Sequence, residues 1–196
     1  MKVLSRDGRQ IDAGFYRTRI MGFDNDSVTT TLFPDHPASL RAAHTDAKEK
    51  AFRATVGDLE PTAGLAELLV WAETRALPMA VVTNAPRDNA LLLLRGLGWA
   101  DRFPVLVIGD ELARGKPDPL PYLTALQRLG ADASHALAFE GSLSGVRAAV
   151  AAGVETIGLM TALNEATLRA AGAMAVVQDF TSPELLELLQ RKAASV

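Results

Sequence analysis

From Pro61 onward the apolar positions follow two alternating rhythms. Over 62–76 they recur at helical spacing, with Leu65, Leu68, Leu69 and Ala72 on one face. Pro78 ends that helix, and the apolar run MAVVTN after it predicts a buried strand. A helix over 86–97 follows, with Pro86 suited to its first turn. The same alternation predicts strands over 105–109, 136–140, 156–160 and 174–178. Helices fall between them over 120–130 and 142–153, and SPELLELLQRK predicts a last one. Strands alternating with helices of this length predict an α/β fold with a doubly wound, Rossmann-like parallel sheet.

Residues 1–58 are patterned differently. They contain no continuous strand-like run, Pro34 and Pro37 interrupt them, and 39–54 reads as an amphipathic helix. The expected organisation is a small helical lobe over 1–58 and a sheet-bearing core over 59–196. No internal repeat or low-complexity tract is visible.

Composition narrows the function classes. Hydrophobic residues make up 48% of the 196, enough for a complete core. A net charge of −3 argues against a nucleic-acid surface, which needs clustered Lys and Arg. The chain has no cysteine, so disulfides, thiolate nucleophiles and cysteine-held zinc are excluded. The opening MKVLSRDGRQ carries no apolar run of signal-peptide or membrane-spanning length. The expectation is a soluble, cytoplasmic protein acting on small molecules.

Sites in open parallel sheets lie beyond the carboxyl ends of the strands, and three such ends carry suitable residues. The first ends in Thr83-Asn84, just ahead of a helix. A hydroxyl and backbone N–H groups there make either a phosphate cradle or an ordinary cap. After the second comes GDELARGKPDP, with Lys116 in a loop stiffened by two prolines. A lysine so constrained suits a phosphate partner. The third ends FEGS, where Glu140 is either a ligand for a hard cation such as magnesium or a carboxylate stabilised by the following helix.

Taken in order and spacing, the TN pair, GKPDPxxY and FEGSxxGVRAAxxAG resemble motifs two, three and four of the haloacid dehalogenase superfamily. The resemblance runs from Pro61 onward, to the branch containing β-phosphoglucomutase and phosphoglycolate phosphatase, and it implies a Rossmann-like core with a small helical cap. It also implies a phosphatase-type hydrolase acting on a small phosphorylated metabolite through an aspartyl-phosphate. On that reading Thr83 and the Asn84 backbone hold the phosphoryl group, Lys116 bridges it to the nucleophile, and Glu140 belongs to a Mg2+ site.

The family's first motif is an apolar strand ending Asp-x-Asp. Its literal match here is Asp24-Asn25-Asp26, and two readings follow. In one, Asp24 is the nucleophile and Asp26 the acid/base of an active, minimally capped phosphatase or phosphomutase. The stretch before it suits a buried strand poorly, because Arg17, Arg19 and Gly22 interrupt it. In the other, both aspartates are turn or capping residues inside a cap resembling that of the branch. The nucleophile strand and part of a helix, about 25 residues, are then missing. The second reading fits the apolar pattern better. It predicts an impaired hydrolase with an unfilled position, or a substitute segment, between the strands ending at Thr83 and Glu140, and open edges inviting a homodimer. Separately, Gly141 stands where the family pattern carries an aspartate, which removes a carboxylate from the metal shell. A dinucleotide-binding module is excluded by the lack of a G-x-G-x-x-G turn. A receiver domain is excluded by the lack of an acidic pair at the first strand end.

Overall fold

The structure is a computed structural model and describes residues 11–193. The part of the expected helical lobe over 1–10 lies outside the described residues. The first strand appears only at Ala80. Before it come α1 (Ala13–Phe15), which continues as a π-helical turn over Tyr16–Ile20, then α2 (Asn25–Leu32), α3 (Ala38–Thr55) and α4 (Leu65–Glu73). No strand forms over 20–23, where the chain leaves the π-helical turn and bends at Met21 and Gly22.

The alternating part follows as β1 (Ala80–Thr83), α5 (Arg87–Gly96), β2 (Val105–Ile108), α6 (Leu120–Leu129), β3 (Leu137–Glu140) and α7 (Leu143–Ala151). It ends with β4 (Glu155–Leu159), α8 (Glu165–Ala170), β5 (Ala175–Val177) and α9 (Pro183–Ala193). All five strands pair in parallel, as the apolar runs predict, but in two sheets. β1 pairs with β2, Thr83 opposite Ile108. β3 pairs with β4, Glu140 opposite Gly158, and β4 with β5. β1 and β3 therefore each have one strand neighbour among the described residues. The burial of β1 reflects this: all four of its residues are half-buried, whereas four of the five in β4 are fully buried.

Helices cover both faces. α6 and α7 pack over β3 through Tyr122, Ala138, Ala148 and Ala149, and Val82 of β1 joins them. On the other side α9 and α4 cover β4 and β5 through Ile157, Val177, Leu185 and Leu189. α4 also meets α5 through Leu69 and Leu94, against Val81 and Leu106. Each fully buried aliphatic side chain here contributes about 1.5–3 kcal/mol of transfer free energy.

Two helices escaped the sequence pattern because their apolar content is low. α2 starts at an Asp24 cap, and α8 at Asn164, whose side chain accepts from the Thr167 N–H at 2.9 Å. No helix among the described residues is long and apolar enough to cross a membrane.

Candidate active site

Parallel pairing aligns the carboxyl ends within each sheet, and the bonds of one lysine, Lys116, to Val82 and Glu140 bring the ends of β1 and β3 together, where the sequence-selected residues sit. The Thr83 hydroxyl accepts the Ala85 N–H at 3.0 Å, folding the chain into a tight turn before α5. Asn84 is buried. Its Oδ1 accepts the Lys116 N–H at 3.0 Å, and its Nδ2 donates to the Lys116 carbonyl at 2.8 Å. The Gly115–Pro117 loop is thereby fastened to the end of β1. From it the Lys116 side chain runs inward, and only 5% of the residue is exposed. Its ammonium donates to the Val82 carbonyl at 3.1 Å and to Glu140 Oε1 at 2.7 Å. One ammonium thus spans from β1 to β3.

Glu140 is 8% exposed and richly solvated by protein donors. Besides Lys116, the Tyr122 hydroxyl donates to Oε1 at 2.8 Å and the Ser142 hydroxyl to Oε2 at 3.2 Å. Tyr122 titrates well above the ordinary phenol range, first because it is buried, then because the Glu140 charge and hydrogen bond oppose a second anion. Ser142 also caps α7, accepting the Gly145 N–H at 3.0 Å.

This donor set does not make a magnesium shell. The ion needs several oxygen ligands, usually with one or two carboxylates among them. Glu140 already carries an internal cation and two hydroxyls, Gly141 adds no carboxylate, and no group of three metal-binding His, Asp or Glu side chains occurs among the described residues.

The aspartates of the literal Asp-x-Asp match lie in the helical part. Asp24 caps α2, its Oδ1 accepting the Ser27 N–H at 2.8 Å and its Oδ2 the Ser27 hydroxyl at 2.7 Å. It lies beside the lysine loop, since a β-carbon placed on Gly115 would come 3.3 Å from that of Asp24. Asp26 is exposed in the first turn of the same helix. Between α2, α3 and the loop over 109–118 opens a cavity of about 880 Å³, lined in part by Asp24, Asp26, Arg41, Asp46, Asp110 and Asp118.

Sequence reading missed the residues that join the helical part to this end of the sheets. The Gly22 carbonyl accepts from Asn84 Nδ2 at 3.0 Å and from the Ser144 hydroxyl at 2.6 Å. Asn25 Nδ2 donates to Asp110 at 3.3 Å. Glu49, the buried residue of α3, accepts from Asn89 Nδ2 at 2.5 Å, and Asn89 Oδ1 accepts from Arg53 at 2.8 Å. Arg53 thereby serves this junction. A glutamate buried on a polar helix leaves no signature in one sequence.

Residues 13–153 match the sequence model of the haloacid dehalogenase-like hydrolases. The chain belongs to that family. It is 38% identical over 134 residues to a phosphorylated carbohydrates phosphatase of Thermotoga maritima, covering 67% of this chain and 61% of that protein. It is 39% identical over 119 residues to a phosphoglycolate phosphatase of Rhodospirillum rubrum, covering 61% of this chain and 49% of that one. The matches thus span less than two thirds of the curated relatives' own lengths. Among solved structures, CbbY of Rhodobacter sphaeroides in complex with phosphate superposes with a TM-score of 0.77 at 28% identity, over 92% of this chain and 85% of that one. The β-phosphoglucomutase of Clostridium difficile shares the fold, with a TM-score of 0.82 at 18% identity over 99% of this chain and 87% of the other. The branch of the haloacid dehalogenase-like hydrolases is the one its motifs resemble.

Proposed function

We propose that this haloacid dehalogenase-like chain binds the phosphoryl group of a small phosphorylated metabolite at the carboxyl ends of β1 and β3, and that hydrolysis is impaired in the site as it stands. The observation that carries the reading is the convergence of Thr83, Lys116 and Glu140 on one end of two parallel sheets. In this reading Thr83 and the N–H groups at the start of α5 receive phosphoryl oxygens, and Lys116 supplies the positive charge. Impairment is supported by three features. The position between β1 and β3 holds no strand among residues 11–193. The Asp24 carboxylate is engaged with Ser27 on both oxygens. Glu140 and Gly141 together offer one carboxylate, already paired.

The helices ahead of Pro61 act as the cap in this reading, and the cavity beneath α2 and α3 receives the rest of the substrate. Its wall carries five carboxylates against Arg41 and Arg114, and Arg114 is already paired with Asp118, which favours hydroxyl donors over a second anion. The wall favours phosphorylated sugars over phosphorylated carboxylic acids as ligands.

Hydrolysis of a generic aryl phosphate with magnesium present tests the reading. Turnover is expected near background, because removing a covalent nucleophile alone costs orders of magnitude in rate. Asp24→Asn changes nothing. Adding an upstream strand that ends Asp-x-Asp, together with Gly141→Asp, restores turnover, and Lys116→Ala then removes it. A β-carbon on Gly141 comes 2.5 Å from the hydroxyl of exposed Thr161, so the substitution requires that side chain to rotate. Robust metal-dependent hydrolysis that disappears in Asp24→Asn would instead make Asp24 the nucleophile.

A further inference from the structure

The Asn84 side chain is bonded more fully than a phosphate cradle requires. Its carboxamide uses one acceptor and two donors on three bonds, two to the Lys116 backbone and one to the Gly22 carbonyl, 62 residues away in sequence. The group is 5% exposed. Two segments, the Gly22 turn and the loop over 109–118, close around it and its neighbours, and both approach with glycines. A β-carbon on Gly109 would collide with Asn84 Oδ1, and one on Gly115 would come within 2.9 Å of the same atom. Gly22 has φ +82°, and a β-carbon there would lie 2.5 Å from the Ser142 hydroxyl oxygen and 2.7 Å from that of Ser144. Any side chain at Gly22 therefore lifts the turn out of its seat.

We infer that the Asn84 carboxamide is a positioning residue that makes the placement of the Lys116 ammonium depend on the seating of the Gly22 turn. The reasoning is a donor count. With the turn seated, each Nδ2 hydrogen has its own acceptor, Gly22 or Lys116. When the turn leaves, one hydrogen is orphaned in a buried place. The carboxamide then rotates or admits water, and both bonds that square the Lys116 backbone are strained together. Lys116 sits at the end of that lever, holding β1 and β3 by one ammonium. Closure of the helical part is thus read out as the position of a single cation. The bearing on phosphate rests on the function proposed above; the coupling itself does not.

Competitive acetylation of the intact chain, read lysine by lysine by mass spectrometry, tests this without catalysis. Lys50, exposed on α3, is the internal reference. Lys116 in the parent chain should react far more slowly than Lys50. Asn84→Ala should raise the Lys116:Lys50 ratio roughly tenfold, the effect of leaving buried hydrogen-bonding groups unpaired. Gly22→Ala should raise it by a similar factor, although Gly22 bonds Asn84 and Ser144 rather than Lys116. Ser144→Ala, which removes the second donor to the Gly22 carbonyl without a clash, should raise it less and serves if Gly22→Ala fails to fold. The Gly22→Ala/Asn84→Ala double variant should match the larger single effect, because both act on one lever.

The coupling is overturned if Lys116 stays protected in Gly22→Ala and Ser144→Ala, whatever Asn84→Ala does. Additive effects in the double variant also overturn it, because the signal would then run through Ser142 and Glu140. Phosphate binding, followed as a shift in melting temperature, is scored separately. Absent phosphate binding with intact coupling defeats the proposed function and leaves this inference standing. Bound phosphate without coupling does the reverse.

Discussion

The helices over 13–55 and the sheets that follow are held by different forces. Around the sheets the contacts are apolar and continuous, running from Tyr122 and Ala148 on one face to Ile157, Leu185 and Leu189 on the other. The helices ahead of them keep a small cluster of their own, Ile20, Val28, Leu32 and Phe33, and the buried residue of the 18-residue α3 is Glu49. Across the junction one apolar anchor, Met21, packs against the cluster of Val146 and Leu168. The rest of the named joins are polar: Gly22 with Asn84 and Ser144, Asn25 with Asp110, and Glu49 with Asn89 and Arg53. Apolar burial is non-directional and tolerates small displacement, whereas a hydrogen-bonded clasp is either made or broken. The helical part is therefore expected to loosen before the sheets do.

Four changes probe that contrast, in falling order of effect. Ile157→Ala, at a fully buried position of β4, should lower stability by about 2–5 kcal/mol through lost burial and the cavity left behind. Urea unfolding measures it, and a loss below 1 kcal/mol would mean the apolar core is looser than described. Asn89→Ala should cost about 1–3 kcal/mol, because it leaves the Glu49 carboxylate and Arg53 without their shared partner. Amide exchange should quicken in α3 while β4 keeps its protection. Uniform loss of protection in both would erase the distinction between the two regions.

The third change is electrostatic. The Asp110 carboxyl titrates above the ordinary carboxylate range, mainly because surrounding protein strips it of water. The Asn25 hydrogen bond opposes the shift, Asp24 and Glu49 add repulsion, and Lys48 offsets part of it. A raised folded value means the folded chain holds the proton where the unfolded chain has lost it. That contribution to stability is full below the unfolded value and is lost as pH rises through the folded one. Asp110→Asn keeps an acceptor for Asn25 and removes the charge. It should be at least as stable as the parent at neutral pH, with the gap closing as pH falls toward about 4. Parallel melting curves from pH 4 to 8 decide it, and a gap that widens on acidification would contradict the assignment. Last and smallest, Arg169→Ala breaks an exposed i,i+4 pair with Glu165 on α8 and should shift the unfolding midpoint by no more than about 0.5 kcal/mol.

Local pattern was enough for the α/β class, the five parallel strands among the described residues, the placement of Thr83 and Glu140 at strand ends and that of Lys116 in the loop after β2, because each rests on a period or a punctuating residue within one short window. The observed edges of β1, β2 and β3 fall within a residue or two of those the apolar runs predict. α2 and α8 were not legible, since short helices stabilised by a single cap and by their neighbours carry little pattern of their own. Equally hidden was the partner of each site residue. That Lys116 bonds Glu140 and Val82 depends on β1 and β3 ending side by side, and that Asn84 grips both Gly22 and Lys116 depends on three separated segments meeting at glycines. Residue type and spacing are written along the chain. Which donor faces which acceptor across 24, 32 or 62 residues is decided only when the sheets and helices pack, because burial leaves each polar group the partners within its reach and no water to replace them.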